Sequence, residues 1–196
     1  SLGGLQGREL RTMTVGIVGT GRIGRAVAEI LRGFGCRMLA YDPYPADSLP
    51  QVRYVSLAEL YRQSDLITLH LPLTAENRHM IDEESIAKMK DGVVLINVSR
   101  GELTQIEALI RGIESRKISA LAMDVFEDET EIYHHRRIND IIANRSMAYL
   151  RQFPNVILTQ HMAFYTDVNT VRMRAEGDRG YGRRTQRGTV RTALWT

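Results

Sequence analysis

The sequence predicts an α/β fold, a doubly wound (Rossmann-like) parallel sheet of about six strands with helices on both faces. Three observations point to it. From residue 12 to about residue 160, short apolar runs alternate with amphipathic stretches, the order in which a parallel sheet acquires its covering helices. The runs are apolar nearly throughout rather than at every second residue, as strands buried on both faces require. Between the first run and the first amphipathic stretch stands a tight glycine turn, Gly19-x-Gly21-x-x-Gly24.

Each element follows in order. Val15, Ile17 and Val18 make the first strand. After the turn, Ile23, Val27, Ile30, Leu31 and Phe34 fall at i, i+4, i+7, i+8 and i+11, which predicts one core-facing stripe on the first helix. Cys36 opens the second strand, and Asp42 stands at its end. Ser56 and Glu59 read as a capping box ahead of a short helix, and residues 66–69 as the third strand. Residues 82–89 read as a helix with acids in its first turn, where the helix dipole favours them. Residues 93–98 read as a fourth strand. Thr104 and Glu107 read as a second capping box, with Ile106, Leu109, Ile110 and Ile113 spaced for a core-facing helix behind it. Residues 119–123 make a fifth strand, 145–152 a short helix and 156–158 a sixth strand. No internal repeat or long linker divides residues 12–160.

With 196 residues, 43% hydrophobic and 25% charged, the chain can fill one sizeable core. No apolar run approaches the roughly 20 residues of a membrane span, and no secretory signal opens the chain, so no membrane association is expected. Cys36 is the single cysteine, which rules out an internal disulfide and fits a reducing, cytoplasmic setting. It reads as a small buried residue rather than a nucleophile. The net charge of +3 is unevenly placed: residues 168–196 hold seven arginines against Glu176 and Asp178, and residues 1–167 are slightly acidic. A basic tail rather than a basic face argues against nucleic acid as a partner. That tail, with glycines at 177, 180, 182 and 188, shows no helical or strand period and is set apart from the domain at residues 12–167 and the connecting segment at 1–11. His134 and His135 adjoin Arg136 and Arg137 and read as exposed, without a metal-ligand set.

The glycine turn is weak evidence by spacing alone; its place between strand and helix gives it chemical meaning. Gly19 permits the turn, Gly21 lets backbone approach a pyrophosphate, and Gly24 lets helix and strand pack closely. The pyrophosphate would sit at the helix N-terminus, where free N–H groups face an anion. Asp42 lies 23 residues beyond Gly19, placed to accept from ribose hydroxyls and to repel a 2′-phosphate, so NAD is expected over NADP. The alternative is an ordinary strand–helix turn with a solvated Asp42. In such sheets chemistry gathers at the carboxyl ends of the strands. There stand His70-Leu71-Pro72, Ser99-Arg100-Gly101, Asp124 with Glu129 behind it, and His161. An arginine, a carboxylate and a histidine suit reduction of a 2-keto acid: the guanidinium grips a carboxylate, the imidazolium protonates a carbonyl oxygen, and the acid keeps the imidazole charged. Each has a plainer reading. Arg100 and His161 could be loop residues, Glu129 part of a solvated acidic run, and His70 structural.

The motifs VGIVGTGRIG, HLPLTAENRHMI, MKDGVVLINVSRGEL, AMDVFEDE and PNVILTQHMAFYTD, in this order, resemble those of the NAD-dependent D-2-hydroxyacid dehydrogenases over about residues 7–167. Within that family the chain is most similar to the fermentative D-lactate branch, which the segment YHHRRINDIIANRSM also resembles. The resemblance implies that Arg100 binds the substrate carboxylate, His161 donates the proton and Glu129 partners His161. It implies cofactor contacts from Arg22 and Ile23 at the phosphates, Asp42 at the ribose, and Leu71, Pro72 and Asn77 along the adenosine side. Val98, Ser99, Arg100 and Asp124 would meet the nicotinamide end. The implied reaction is hydride transfer between NADH and a small 2-keto acid, pyruvate first, by a homodimer. The alternatives are a larger 2-keto acid (for example 2-ketoisocaproate or phenylpyruvate) or an NAD-binding interaction module without turnover. Three features depart from the family: the substrate domain expected ahead of the glycine turn is absent from this sequence, Gln160 stands where a proline is usual, and the tail from Val168 matches no family helix.

Overall fold

The computed structural model describes residues 7–45, 49–127, 144–163 and 165–167. The chain divides into two units, residues 1–160 and 161–196, and the sheet belongs to the first. Its strands are β1 (Thr14–Val18), β2 (Arg37–Tyr41), β3 (Val52–Tyr54), β4 (Leu66–Leu69), β5 (Val93–Asn97), β6 (Ile118–Met123) and β7 (Val156–Leu158). They lie in the order β3-β2-β1-β4-β5-β6-β7, every pair parallel. The helices are α1 (Arg22–Arg32), α2 (Leu57–Gln63), α3 (Glu83–Lys88), α4 (Ile106–Glu114) and α5 (Arg145–Leu150). None of the described helices is long and apolar enough to cross a membrane.

The predicted architecture is present with one strand more. Strand β3 holds only three residues at the sheet edge, with Arg53 exposed between Val52 and half-buried Tyr54, too short for an alternating period to register.

Helices cover both faces. Val15 and Ile17 of β1 pack with Met38, Ala40 and Ala28 of α1 on one side. Val18, Ile67, Leu69, Leu95 and Leu121 turn to the other, against Leu60, Ile86, Leu109 and Leu150 from α2, α3, α4 and α5.

The phase of α1 differs from the expected stripe. Its buried residues are Gly24 and Ala28, whereas Ile23 and Ile30 are 65% exposed and Phe34 55%. The cause is close approach: Gly24 and Ala28 fill the space between α1 and the sheet with Leu31 packed beside them, while Ile23, Ile30 and Phe34 face outward.

Caps also differ in part. Ser56 accepts from the Glu59 amide at 3.2 Å, but the Glu59 carboxylate turns to Arg53 and Gln63, so only half of the predicted box forms. The box expected from Thr104 and Glu107 is absent: α4 begins after Gln105, and the Thr104 hydroxyl donates to the Gly101 carbonyl at 2.9 Å. A reciprocal box stands instead on α3, where Asp82 accepts from the Ser85 amide and the Ser85 hydroxyl from the Asp82 amide, both at 2.8 Å. Cys36 is buried, and burial pushes its thiol pKa up, as suits a packing residue rather than a nucleophile.

Candidate functional site

Because every strand is parallel, the ends of β1, β2, β4, β5 and β6 place Gly19–Gly24, Asp42, Leu71, Pro72, Ser99, Arg100 and Asp124 along one edge of the first unit. The connections diverge between β1 and β4, which opens a crevice at that edge.

The glycine turn is built for close contact. Gly19 has φ +96, and its N–H donates to the Tyr41 carbonyl at 2.8 Å, tying the turn to β2. A side chain on Gly24 would bring its Cβ to 1.9 Å from the Gly19 carbonyl oxygen. Beside Gly21 there is open space, and no side chain caps the N-terminus of α1, so the amides of Arg22, Ile23 and Gly24 face that space without intrahelical acceptors. These residues fit a pyrophosphate. Asp42 fits a ribose: one carboxylate oxygen accepts from the Thr20 amide at 2.6 Å and the Thr20 hydroxyl at 3.0 Å, and the other from the Tyr44 amide at 2.8 Å.

Along the crevice, Leu71 is buried and its carbonyl accepts from the Ser99 hydroxyl. Asn77 braces the loop after β4, donating to the Pro72 carbonyl and accepting from the Thr74 amide, each at 2.8 Å. Val98 lies just past β5 rather than within it and is 38% exposed. Arg100 follows. The buried Asn97 amide donates to the Arg100 carbonyl at 2.8 Å, fixing the backbone, while the guanidinium reaches back to the Ser99 carbonyl at 2.6 Å. Among the described residues it has no carboxylate partner. Asp124 is buried and accepts from the Thr159 hydroxyl.

Three residues that sequence reasoning passed over join the loops. Glu127 accepts from Arg78 and from His79 Nε2, the latter at 3.1 Å, and the His79 amide donates to the Glu102 carbonyl at 2.7 Å. The loops after β4, β5 and β6 are thereby tied together around Arg100. Glu127 stands in an acidic run that reads as solvated; its neighbours in sequence carry no hint of Arg78 or His79.

His70 follows β4, with Nε2 3.0 Å from the Thr68 hydroxyl. Burial pushes its pKa down to about 4, so it is neutral at physiological pH and supplies no second acid. The unfolded chain then binds a proton that the folded chain refuses between pH 6.5 and about 4. Stability should fall by about 2–3 kcal/mol as pH drops through that window, and His70→Gln should flatten the fall in urea titrations at successive pH values.

His161 opens the second unit with φ +53. Glu129 lies outside the described residues, as do His134, His135 and the tail from residue 168.

Residues 2–163 match the family described as D-isomer specific 2-hydroxyacid dehydrogenase, NAD binding domain. The chain belongs to this family. An aromatic 2-oxoacid reductase of Clostridium sporogenes is 49% identical over 169 residues, which cover 85% of this chain and 51% of that protein. D-Lactate dehydrogenase of Escherichia coli is 43% identical over 168 residues, again 85% of this chain and 51% of the relative. Among solved structures, D-lactate dehydrogenase of Aquifex aeolicus with NAD and lactic acid superposes with a TM-score of 0.83 at 41% identity, over 90% of this chain and 54% of that one. The chain thus spans about half the length of these dehydrogenases. That half is the family's NAD-binding domain, and NAD is its cofactor.

Proposed function

We propose that the chain is the cofactor-binding half of an enzyme that reduces a 2-keto acid to its D-2-hydroxy acid with NADH. The observation that carries this reading is Arg100, a guanidinium without a carboxylate partner among the described residues, held by Asn97 on the same edge as the glycine turn. Such a group is set to receive a carboxylate from outside the chain. When bound, NADH supplies the hydride that goes to the keto carbon. Arg100 holds the substrate carboxylate through paired N–H groups. His161 gives its proton to the carbonyl oxygen, so the C–H and O–H of the alcohol are both accounted for. By the family resemblance, Glu129 is the carboxylate partner of His161. Leu71, Pro72 and Asn77 shape the adenosine side, and Val98, Ser99 and Asp124 the nicotinamide side.

For the substrate we favour a larger 2-keto acid, of the phenylpyruvate class, over pyruvate. The higher identity to the aromatic 2-oxoacid reductase, 49% against 43% for the D-lactate dehydrogenase, supports this order. The test is NADH oxidation by the complete enzyme that carries this chain. Phenylpyruvate should give the higher kcat/KM; a preference for pyruvate would restore the lactate reading, and inertness toward every 2-keto acid would end both.

The proposal includes a homodimer in a reducing, cytoplasmic setting, with no nucleic-acid partner. The outward face of α1 supports the dimer, since Ile23, Ile30 and Phe34 form an apolar patch that a second copy can meet with its own. Ile30→Glu with Phe34→Glu should convert the dimer to a monomer in light scattering, because each copy would bury unpaired carboxylates. NADH binding should persist in that monomer.

A further inference from the structure

Asp42 is not a free carboxylate. One of its oxygens takes both the amide (2.6 Å) and the hydroxyl (3.0 Å) of Thr20, a residue only 3% exposed inside the glycine turn. A carboxylate only accepts, so the Thr20 hydroxyl must spend its single proton on Asp42. Its lone pairs then accept from Tyr54, whose hydroxyl lies 2.9 Å away. The direction of the chain is therefore fixed: Tyr54 donates to Thr20, and Thr20 donates to Asp42. Tyr54 reaches this position from the edge strand β3, where it pairs opposite Ala40 of β2. Hydrogen bonds in series strengthen one another, and here the series ends on a charge.

We propose that Thr20 and Tyr54 are positioning residues that lock the Asp42 carboxylate in place and thereby set the preference for NAD over NADP. This rests on the reading of Asp42 as the ribose acceptor. A 2′-phosphate brings roughly −1.5 to −2 charge. To admit it, Asp42 must swing aside, and swinging breaks both bonds from Thr20 and leaves a buried hydroxyl without its acceptor. Charge repulsion discourages NADP; the relay removes the escape from that repulsion.

The 196-residue chain is titrated with NADH and with NADPH, followed by nicotinamide fluorescence. Thr20→Val and Tyr54→Phe, both close to isosteric, should each lower the NADH to NADPH affinity ratio about fivefold, the scale of one such hydrogen bond. Thr20→Ser, which keeps the hydroxyl, should retain the wild-type ratio. If both cofactors weaken in parallel, or neither changes, Thr20 and Tyr54 are scaffold and the inference is overturned. Asp42→Ala separates the layers. A ratio that collapses in Asp42→Ala yet holds in Thr20→Val and Tyr54→Phe sinks the relay alone, whereas a ratio that holds in Asp42→Ala sinks the ribose reading and the relay together.

Discussion

Arg100→Ala should lower kcat/KM for the 2-keto acid about a thousandfold in the complete enzyme, the factor that about 4 kcal/mol of lost carboxylate binding represents. The structure prepares this sensitivity. Asn97 holds the Arg100 carbonyl, and the loops on either side are tied through Glu127, Arg78 and His79, so the guanidinium is delivered from a fixed backbone. Arg100→Lys keeps the charge and loses the planar pair of donors, so it should recover only part of the loss, chiefly as a raised KM. NADH affinity of the isolated chain should change far less, because pyrophosphate and ribose are held elsewhere. Unaltered kcat/KM in Arg100→Ala would remove Arg100 from the substrate site.

Gly24→Ala should nearly abolish NADH binding and cost about 2–4 kcal/mol of folding stability. The added methyl would stand 1.9 Å from the Gly19 carbonyl oxygen, a backbone atom with no freedom to rotate away. Either α1 lifts off the sheet or the turn opens, and both displace the amides that face the pyrophosphate. Chemical denaturation read beside NADH titration checks the two effects together. A stable variant with wild-type affinity would mean that α1 and the turn can part without consequence.

Much of the domain was legible in the sequence because burial on both faces leaves a strong mark: continuous apolar runs such as 15–18 and 93–96, short and bounded by turns, suit a strand inside a parallel sheet. The phase of α1 was not, because a 3.6-residue period reports that a stripe exists and is silent on what covers it. Of the predicted stripe, Leu31 packs on the core while Ile23, Ile30 and Phe34 face outward, and Gly24 and Ala28 carry the closest contact. Local cap signatures proved equally ambiguous. Thr104 spends its hydroxyl on the Gly101 carbonyl, a competitor that only the folded chain supplies, and the Asp82–Ser85 box lacks the usual acidic or amide partner. At the site, Asp42 and Arg100 could be placed because strand ends are readable. Thr20 and Tyr54 could not, since their partnership spans the sheet edge and a strand of three residues. Glu127 was hidden by its acidic neighbours until folding brought Arg78 and His79 to it.

The glycine turn has a further property that concerns how the chain acquires its structure. A Cβ at Gly19 would lie 2.7 Å from the His70 carbonyl carbon and 2.8 Å from the Leu71 amide, so the backbone following β4 forms the platform on which the turn rests. That platform comes from far along the chain: Val15 pairs with Leu66, and the Val18 carbonyl accepts from the His70 amide. A fragment ending at residue 63 would contain all three glycines, α1 and the tie to β2, yet lack that platform. Non-local pairing of this kind forms late. During refolding, competence to bind NADH should therefore lag behind helix formation and appear with the closing of the β1–β4 seam, which makes the cofactor a clock for the last step at the centre of the sheet.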